Sequence, residues 1–336
     1  MRRARPQQDE ESPTMSMFTR RAGLGAALAA LPLLPRARAA AEAWPDRPIR
    51  LVYPFAPGAG DVLARLIAEQ LHQSLGQSVV LENKAGANTM IAAESVARAP
   101  ADGYTIGWVA TSTLSLNPNL YPKIPYRLED FAPLLRVYRA PLAFAVTAKL
   151  PIHTVAQALD HIRKNPDIGF GSVGNGSSPH IAMELMMAQA KVRMQNVAYR
   201  GEVPIVTDMG EGRIPFYAGS VFSLLPHLES GRFRVLAVTS AERNAALPDV
   251  PTLRETVHPD VVFEFWHGLV APAGVPAPIL QKLATALEAA VNSEAVRSRA
   301  TPDVTLDPLP LDDFAALVRR EQEVYGRLIK ARGIVL

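Results

Sequence analysis

The sequence predicts an α/β protein of two lobes, each a β-sheet flanked by helices. Three observations lead there. Short apolar runs of strand character alternate with segments whose apolar residues recur at helical spacing. The chain, at 336 residues, is long for a single core. A long extended run, "VVFEFWHGLVAP" at 261–272, reads as a connection between two bodies.

In chain order, "PIRLVYPF" reads as a strand and "DVLARLIAEQLHQSLG" as the helix after it, because Val62, Leu63, Leu66, Ile67 and Leu71 repeat at helical spacing. "QSVVLEN" is the next strand, "MIAAESVARA" a helix and "YTIGWVAT" a strand, which makes consecutive βαβ units. The second half repeats the style. "LAFAVTA" is a strand, "TVAQALDHIRKN" a helix capped by Thr154, and "IGFGSV" a short strand. In "SPHIAMELMMAQA" Ser178 is the expected cap and Pro179 the first helical residue. Then come "MQNVAYR", a helix through "PIVTDMGEG", "RIPFYAGS" and the strand "FRVLAVTS". "PAPILQKLATALEAAVNS" and "PLDDFAALVRREQEVYGRLIKARG" close the chain as helices, the last charged outside its apolar stripe.

These units predict a mostly parallel sheet in each lobe, covered on both faces. The chain is expected to cross out near Pro141–Thr147 and back near Phe263–Ala271. That gives a segment 1–41, a first lobe of 42–143 plus 268–336, and a second lobe of 144–267. A ligand would sit between the lobes, where the loops at the strand C-termini converge.

The N-terminal stretch "MFTRRAGLGAALAALPLLPRARAA" has an Arg pair, an Ala/Leu-rich core and small residues at Ala37, Ala39 and Ala41, the pattern of a cleavable export signal. Thr19-Arg20-Arg21 suits the twin-arginine route, and ordinary Sec signals carry Arg pairs too, so both routes stay open. Met15 and Met17 lie downstream of a polar stretch and are alternative starts. Residues 1–39 hold 7 of the 35 Lys and Arg and 3 of the 32 Asp and Glu. The remainder is nearly neutral, which removes the basic patch a nucleic-acid partner would need. There is no cysteine, hence no disulfide, thiol nucleophile or lipid-anchoring cysteine. With the export signal this points to a bacterial periplasm.

Two turns are candidate anion sites. In "PFAPGAGD" Pro57 stiffens the turn, Gly58 and Gly60 allow close backbone approach, and the helix from Asp61 directs N–H groups at the cleft. The same residues also suit a tight strand-to-helix connection with Asp61 as its cap. In "GSVGNGSSPH" Ser172, Asn175, Ser177 and the amides of Gly174 and Gly176 gather donors at a second helix start, with His180 just inside it. "GFGSVG" fits a dinucleotide fingerprint in form only, since its strand is short and no acidic residue follows at ribose-binding distance. Phe170 stands where the first Gly of a nucleophile elbow around Ser172 belongs. The seven histidines show no metal-ligand spacing. Trp266 fits either core packing at the crossover or a cleft wall.

The stretches "WPDRPIRLVYPFAPGAGD", "ENKAGANTMIAAESVARAPADGYTIGW", "GSVGNGSSPH", "VAYRG", "LPDVPT" and "FWHGLVAPAGVP" resemble, in order and spacing, the Bug family. These are periplasmic solute receptors of tripartite tricarboxylate transporters. The resemblance implies a Venus-flytrap binding protein of type II-like organisation, with Rossmann-like lobes joined by crossover strands and with no catalysis, cofactor or metal. It implies a carboxylate held by Phe55, Ala56, Pro57, Gly58, Ala59 and Gly60 on one side. Ser172, Gly174, Asn175, Gly176 and Ser177 lie on the other, and Thr111, Ser112, Thr113, Tyr199 and Gly201 complete the pocket. The expected partners are a small organic acid and the membrane permease subunits, with the receptor a monomer; a sensor kinase is the alternative partner. A third reading is an exported hydrolase using Ser172 or His180. Three departures stand out: the turn is one residue shorter than the family's P-G-G-x-x-D, Ala198 replaces a Pro, and Pro215 replaces an Asp.

Overall fold

A computed structural model describes residues 44–58, 61–228 and 230–334. The expected export signal lies outside the described residues, as do Ala59 and Gly60 of the first candidate turn.

The strands are β1 (Ile49–Tyr53), β2 (Val79–Asn83), β3 (Thr105–Ala110), β4 (Phe131–Thr147), β5 (Gly169–Ser172), β6 (Gln195–Ala198), β7 (Phe216–Ser220), β8 (Phe233–Val238), β9 (Glu264–Pro272) and β10 (Thr305–Pro310). The longer helices are α1 (Val62–Leu75), α2 (Met90–Ala97), α3 (Val155–Lys164), α4 (Ser178–Ala190), α5 (Glu202–Glu211), α6 (Val221–Leu228), α7 (Ala277–Asn292) and α8 (Leu311–Arg332).

Local signals explain most helices. α1 buries Ala64, Ile67, Ala68 and Leu71 on one face and stops at Gly76, whose left-handed backbone returns its N–H to the His72 carbonyl. α3 begins with a capping box in which Thr154 and Gln157 satisfy each other's backbone N–H. α4 starts one position earlier than its sequence suggests. Ser177 takes the cap position, Ser178 is the first helical residue and Pro179 the second. α2 lies so close to β3 that a Cβ on Gly107 would sit 2.6 Å from a Val96 methyl.

The sheet runs β2-β1-β3-β9-β4-β7-β5-β6, with β8 and β10 also paired to β4. It is mixed, not mostly parallel as the sequence suggests. β1 pairs parallel with β2 and β3, and β5 with β6 and β7, but every pairing of β4 and β9 is antiparallel. The cause is topological. β4 carries the chain out of the first half and β9 brings it back beside it, and neighbouring segments crossing in opposite senses must be antiparallel.

β4 is also longer than its sequence suggests. It has 17 residues, beginning at Phe131 and not at Leu142. Pro133 and Pro141 break the apolar pattern without breaking the strand. Pro133 falls at an irregularity of the β4–β9 register, and Pro141 precedes the point where pairing passes from β9 to β7 at Leu142. There the Leu142 N–H donates to Thr239 Oγ1 at 2.8 Å, and that hydroxyl donates to the Phe263 carbonyl at 2.6 Å. Beside this junction Arg136 and Arg139 reach Asp307 at 2.6 and 3.0 Å, and Arg139 also reaches Glu264 at 2.7 Å.

β4 supplies side chains to four apolar clusters: Leu142, Phe144 and Val146 to one, Ala143 and Ala145 to a second, Leu135 and Val137 to a third and Phe131 to a fourth. α8 spans the same junction. Near its start Phe314 meets Trp266 edge-on, and near its end Tyr325 packs on Phe263 and Arg332 pairs with Glu184 of α4 at 2.9 Å. The core alternative for Trp266 is the one the fold adopts: it is buried, and its Nε1 donates to Glu321 at 2.7 Å.

Thr239 is buried and is the shared partner of two main-chain groups. Thr239→Val leaves both unpaired and is expected to lower unfolding free energy by about 2–4 kcal/mol. Thr239→Ser keeps both bonds and is expected to lose less than about half of that. Urea denaturation of the two variants checks the difference.

Candidate functional site

The C-terminal ends of β1 and β3 on one side, and of β5 and β7 on the other, open onto one cavity of about 490 Å³. The edge of an α/β sheet at its strand C-termini is where such folds place ligands. A volume of this size suits a small molecule.

The first rim is the turn after β1. Phe55 lines the cavity, and its carbonyl accepts from Asn83 Nδ2 at 2.9 Å, which fixes the turn to the end of β2. Ala56, Pro57 and Gly58 are exposed beyond it. Asp61 occupies the cap position of α1 but does not cap it. Its carboxylate accepts from Arg65 at 3.1 and 2.9 Å, and those hydrogen bonds hold the carboxyl below its ordinary range.

After β3, the three expected residues divide by role. Ser112 lines the cavity. Thr111 is buried and clamps the main chain of Trp266, accepting from its N–H at 2.7 Å. Thr113 is buried and bonds the Thr89 hydroxyl at 2.8 Å. Asn88 faces the cavity from a left-handed stretch, Ala87-Asn88-Thr89. Left-handed backbone costs a non-Gly residue about 1–2 kcal/mol. Two bonds to Asn117, at 2.7 and 2.8 Å, hold Asn88 there.

The second rim is the loop after β5. Ser177, Ser178 and Pro179 line the cavity at the start of α4. The first turn of a helix has N–H groups with no acceptor inside the helix, and Pro179 contributes none, which leaves those of Ser178 and His180. The expected side-chain donors turn inward instead. Ser172 and Ser177 both donate to the Gly174 carbonyl, at 3.1 and 2.7 Å, and Gly176 N–H donates to His180 Nδ1 at 2.9 Å. Asn175, itself exposed, accepts from half-buried Asn196. Behind the loop, His180 lies 3.8 Å from Glu184. Burial opposes ionisation of Glu184, but hydrogen bonds from His180 and Arg332 keep its carboxyl below its ordinary value.

Gly201 lines the cavity with φ at +117°, a conformation that a side chain would strain. Tyr199 does not line it. Its hydroxyl donates to Asp208 at 2.8 Å, and burial together with that carboxylate pushes the phenol up to about 12.

Several lining residues were not among the expected ones. Tyr53, Tyr138, Phe265 and His267 join the expected Phe55 in an aromatic wall. His267 is at its centre, near-parallel to Phe55 at 5.4 Å, 4.9 Å from the Tyr138 ring and 5.8 Å from Phe265. Its Nδ1 and the Tyr138 hydroxyl share a hydrogen bond of 2.6 Å. Burial pushes the imidazole down to about 3, so it is neutral at ordinary pH. Strand alternation was the available signal, since in β9 residues 265 and 267 share a face opposite Trp266. Glu202, the first residue of α5, also borders the cavity and accepts from Tyr217 Oη at 2.9 Å and Ser220 Oγ at 3.1 Å. Among the described residues, no Lys or Arg lines the cavity, and no cluster of His, Cys, Asp and Glu suits a metal ion.

A cleft at the strand ends between two halves of a sheet, reached across paired strands that run out and back, defines a two-lobed solute-binding protein. Its fold is that of periplasmic binding proteins of known structure. Residues 63–334 match the tripartite tricarboxylate transporter family receptor, and the chain belongs to that family. Protein BugT of Bordetella pertussis is 34% identical over 260 residues, which cover 76% of this chain and 80% of BugT. Among solved structures, R. palustris Rpa4515 with adipate superposes with a TM-score of 0.79 at 32% identity, covering 87% of this chain and 100% of that one. MatC from Rhodopseudomonas palustris with bound malate does so at 0.75 and 29%, covering 85% and 100%.

The depressed imidazole of His267 has a signed consequence. The unfolded chain takes up that proton near 6.5 and the folded one near 3, so protonation favours unfolding. Stability should fall as pH drops from about 6.5, by at most about 1.4 kcal/mol per pH unit. Glu321, which burial pushes above 4.5, acts in the opposite sense. The informative quantity is therefore the difference between the parent and His267→Phe. The variant's melting temperature is expected to fall less between pH 7 and pH 5, and equal slopes would mean that His267 is charged in the folded protein.

Proposed function

We propose that this protein is an exported periplasmic receptor that captures a small organic acid in the cleft and delivers it to the permease of a tripartite tricarboxylate transporter. The observation that carries this reading is a cation-free cavity at the strand ends in a chain whose relatives were solved with adipate and malate. The carboxylate is taken by main-chain N–H groups of the Phe55–Gly60 turn and of the loop leading into α4, with the Ser112 hydroxyl beside them. Helix starts and tight turns bind anions in this way without a charged side chain.

Residues 42–143 with 268–336 act as one lobe and residues 144–267 as the other. Ligand draws them together about β4 and β9, and the closed receptor is the form the permease takes up. The apparent export signal at the N-terminus supports delivery to the periplasm. Turnover is not expected. Ser172 and His180 are each bonded within their own loop, and no hydrogen bond between them is present among the described residues.

A panel of carboxylic acids tested by thermal shift and titration calorimetry on the full chain should include compounds that raise the melting temperature. Ser112→Ala should weaken the best of them about 10- to 150-fold, the equivalent of one hydrogen bond to a charged group. No response to any acid in the panel would sink the reading.

A further inference from the structure

We infer that the ligand is an aromatic monocarboxylate, a different class from the adipate and malate bound in two of the solved relatives. This rests on the receptor reading above and concerns the shape and charge of the same cleft.

The aromatic wall sets the shape the cleft accepts. Phe55 and His267 lie near-parallel, 19° apart at 5.4 Å, and Tyr138 and Phe265 close in on the same imidazole. Leu142 and Val173 border the cavity from the other half of the sheet. A flat apolar body meets ring faces and edges here, where aromatic groups gain more than their buried area alone provides. The central imidazole presents no charge to a ligand, because burial keeps it neutral. An aliphatic diacid would place a hydrated carboxylate against these rings, whose apolar faces are a poor substitute for its water.

Glu202 sets the charge the cleft accepts. It is the acidic residue that borders the cavity, and its carboxylate is fixed by Tyr217 and Ser220. No Lys or Arg lines the cavity among the described residues. One ligand carboxylate can be received by the N–H groups at the start of α4 and in the turn after β1. A second would meet Glu202 with no cation between them, and like charges at close range in a desolvated cleft repel. The cleft therefore selects for a single negative charge as well as for a flat body.

The test uses the full chain, unfolded and refolded once to free it of bound small molecules. Calorimetry compares benzoate, cyclohexanecarboxylate, adipate and malate. Benzoate is expected to bind at least tenfold more tightly than either diacid and several-fold more tightly than cyclohexanecarboxylate. Glu202→Gln keeps an acceptor for Tyr217 and is expected to raise adipate affinity at least tenfold while changing benzoate less than threefold. Phe55→Leu should weaken benzoate about tenfold and cyclohexanecarboxylate less. Tighter binding of adipate or malate by the parent overturns this inference and leaves the receptor reading standing. So does a Glu202→Gln variant with an unchanged ratio of adipate to benzoate affinity. Failure of all four acids and of every other carboxylate overturns both.

Discussion

The architecture depends on one strand. β4 runs through both halves of the sheet and exchanges one set of neighbours for another at Leu142. A strand cannot change partners without leaving backbone groups unpaired at the break, and burial makes that costly. Thr239 solves this locally, with its hydroxyl taking the Leu142 N–H and giving to the Phe263 carbonyl. The residues of β4 also divide among four apolar clusters, so the packing of each half is referred to the same backbone. The neighbouring arginines, paired to Asp307 and Glu264, keep charge at the junction compensated where the apolar clusters part.

The cleft inherits its geometry from that arrangement. Because β9 lies between β3 and β4, its pleat decides which side chains reach the cavity. Phe265 and His267 border it, while Trp266 points away and hydrogen-bonds Glu321. The two rims are held by internal bonds. Asn83 grips the Phe55 carbonyl, Asn117 grips Asn88, and the Gly174 carbonyl collects two serine hydroxyls. The side chains of those rims thus position backbone, and main-chain N–H groups are what remains for an anion.

Much of this was legible in the sequence, and the residues show why some was not. Helical periodicity located α1, whose buried residues fall on one face, the Ser-Pro start located α4, and the β1 and β5 turns were recognisable from their glycines. Ser172, Ser177 and His180 read from the sequence as donors to a ligand; a tight glycine loop must also satisfy its own buried groups, and those side chains do so, with Ser177 lining the cavity as well. Thr111 and Thr113 were adjacent to a true lining residue, Ser112, but point into the structure. Of the aromatic wall only Phe55 was foreseen, because the other members come from β1, β4 and β9, far apart in sequence, and only the sheet order brings them together. The prolines of β4 concealed its length, since a pattern read over a short window treats each as a stop.

The chain order of the strands governs when each half can be completed. The strands of the second half, with their segment of β4, lie within residues 142–238, one continuous stretch. The first half begins with β1, β2 and β3 but holds an open edge at β3 until β9 arrives at Glu264 to join it to β4. As the polypeptide is synthesised from its N-terminus, the later-made half is therefore the first able to close its sheet. The half that begins the chain must wait for its end, where β9, β10 and α8 add the missing neighbours. The cleft, which needs Phe265 and His267, comes into being only with that last return.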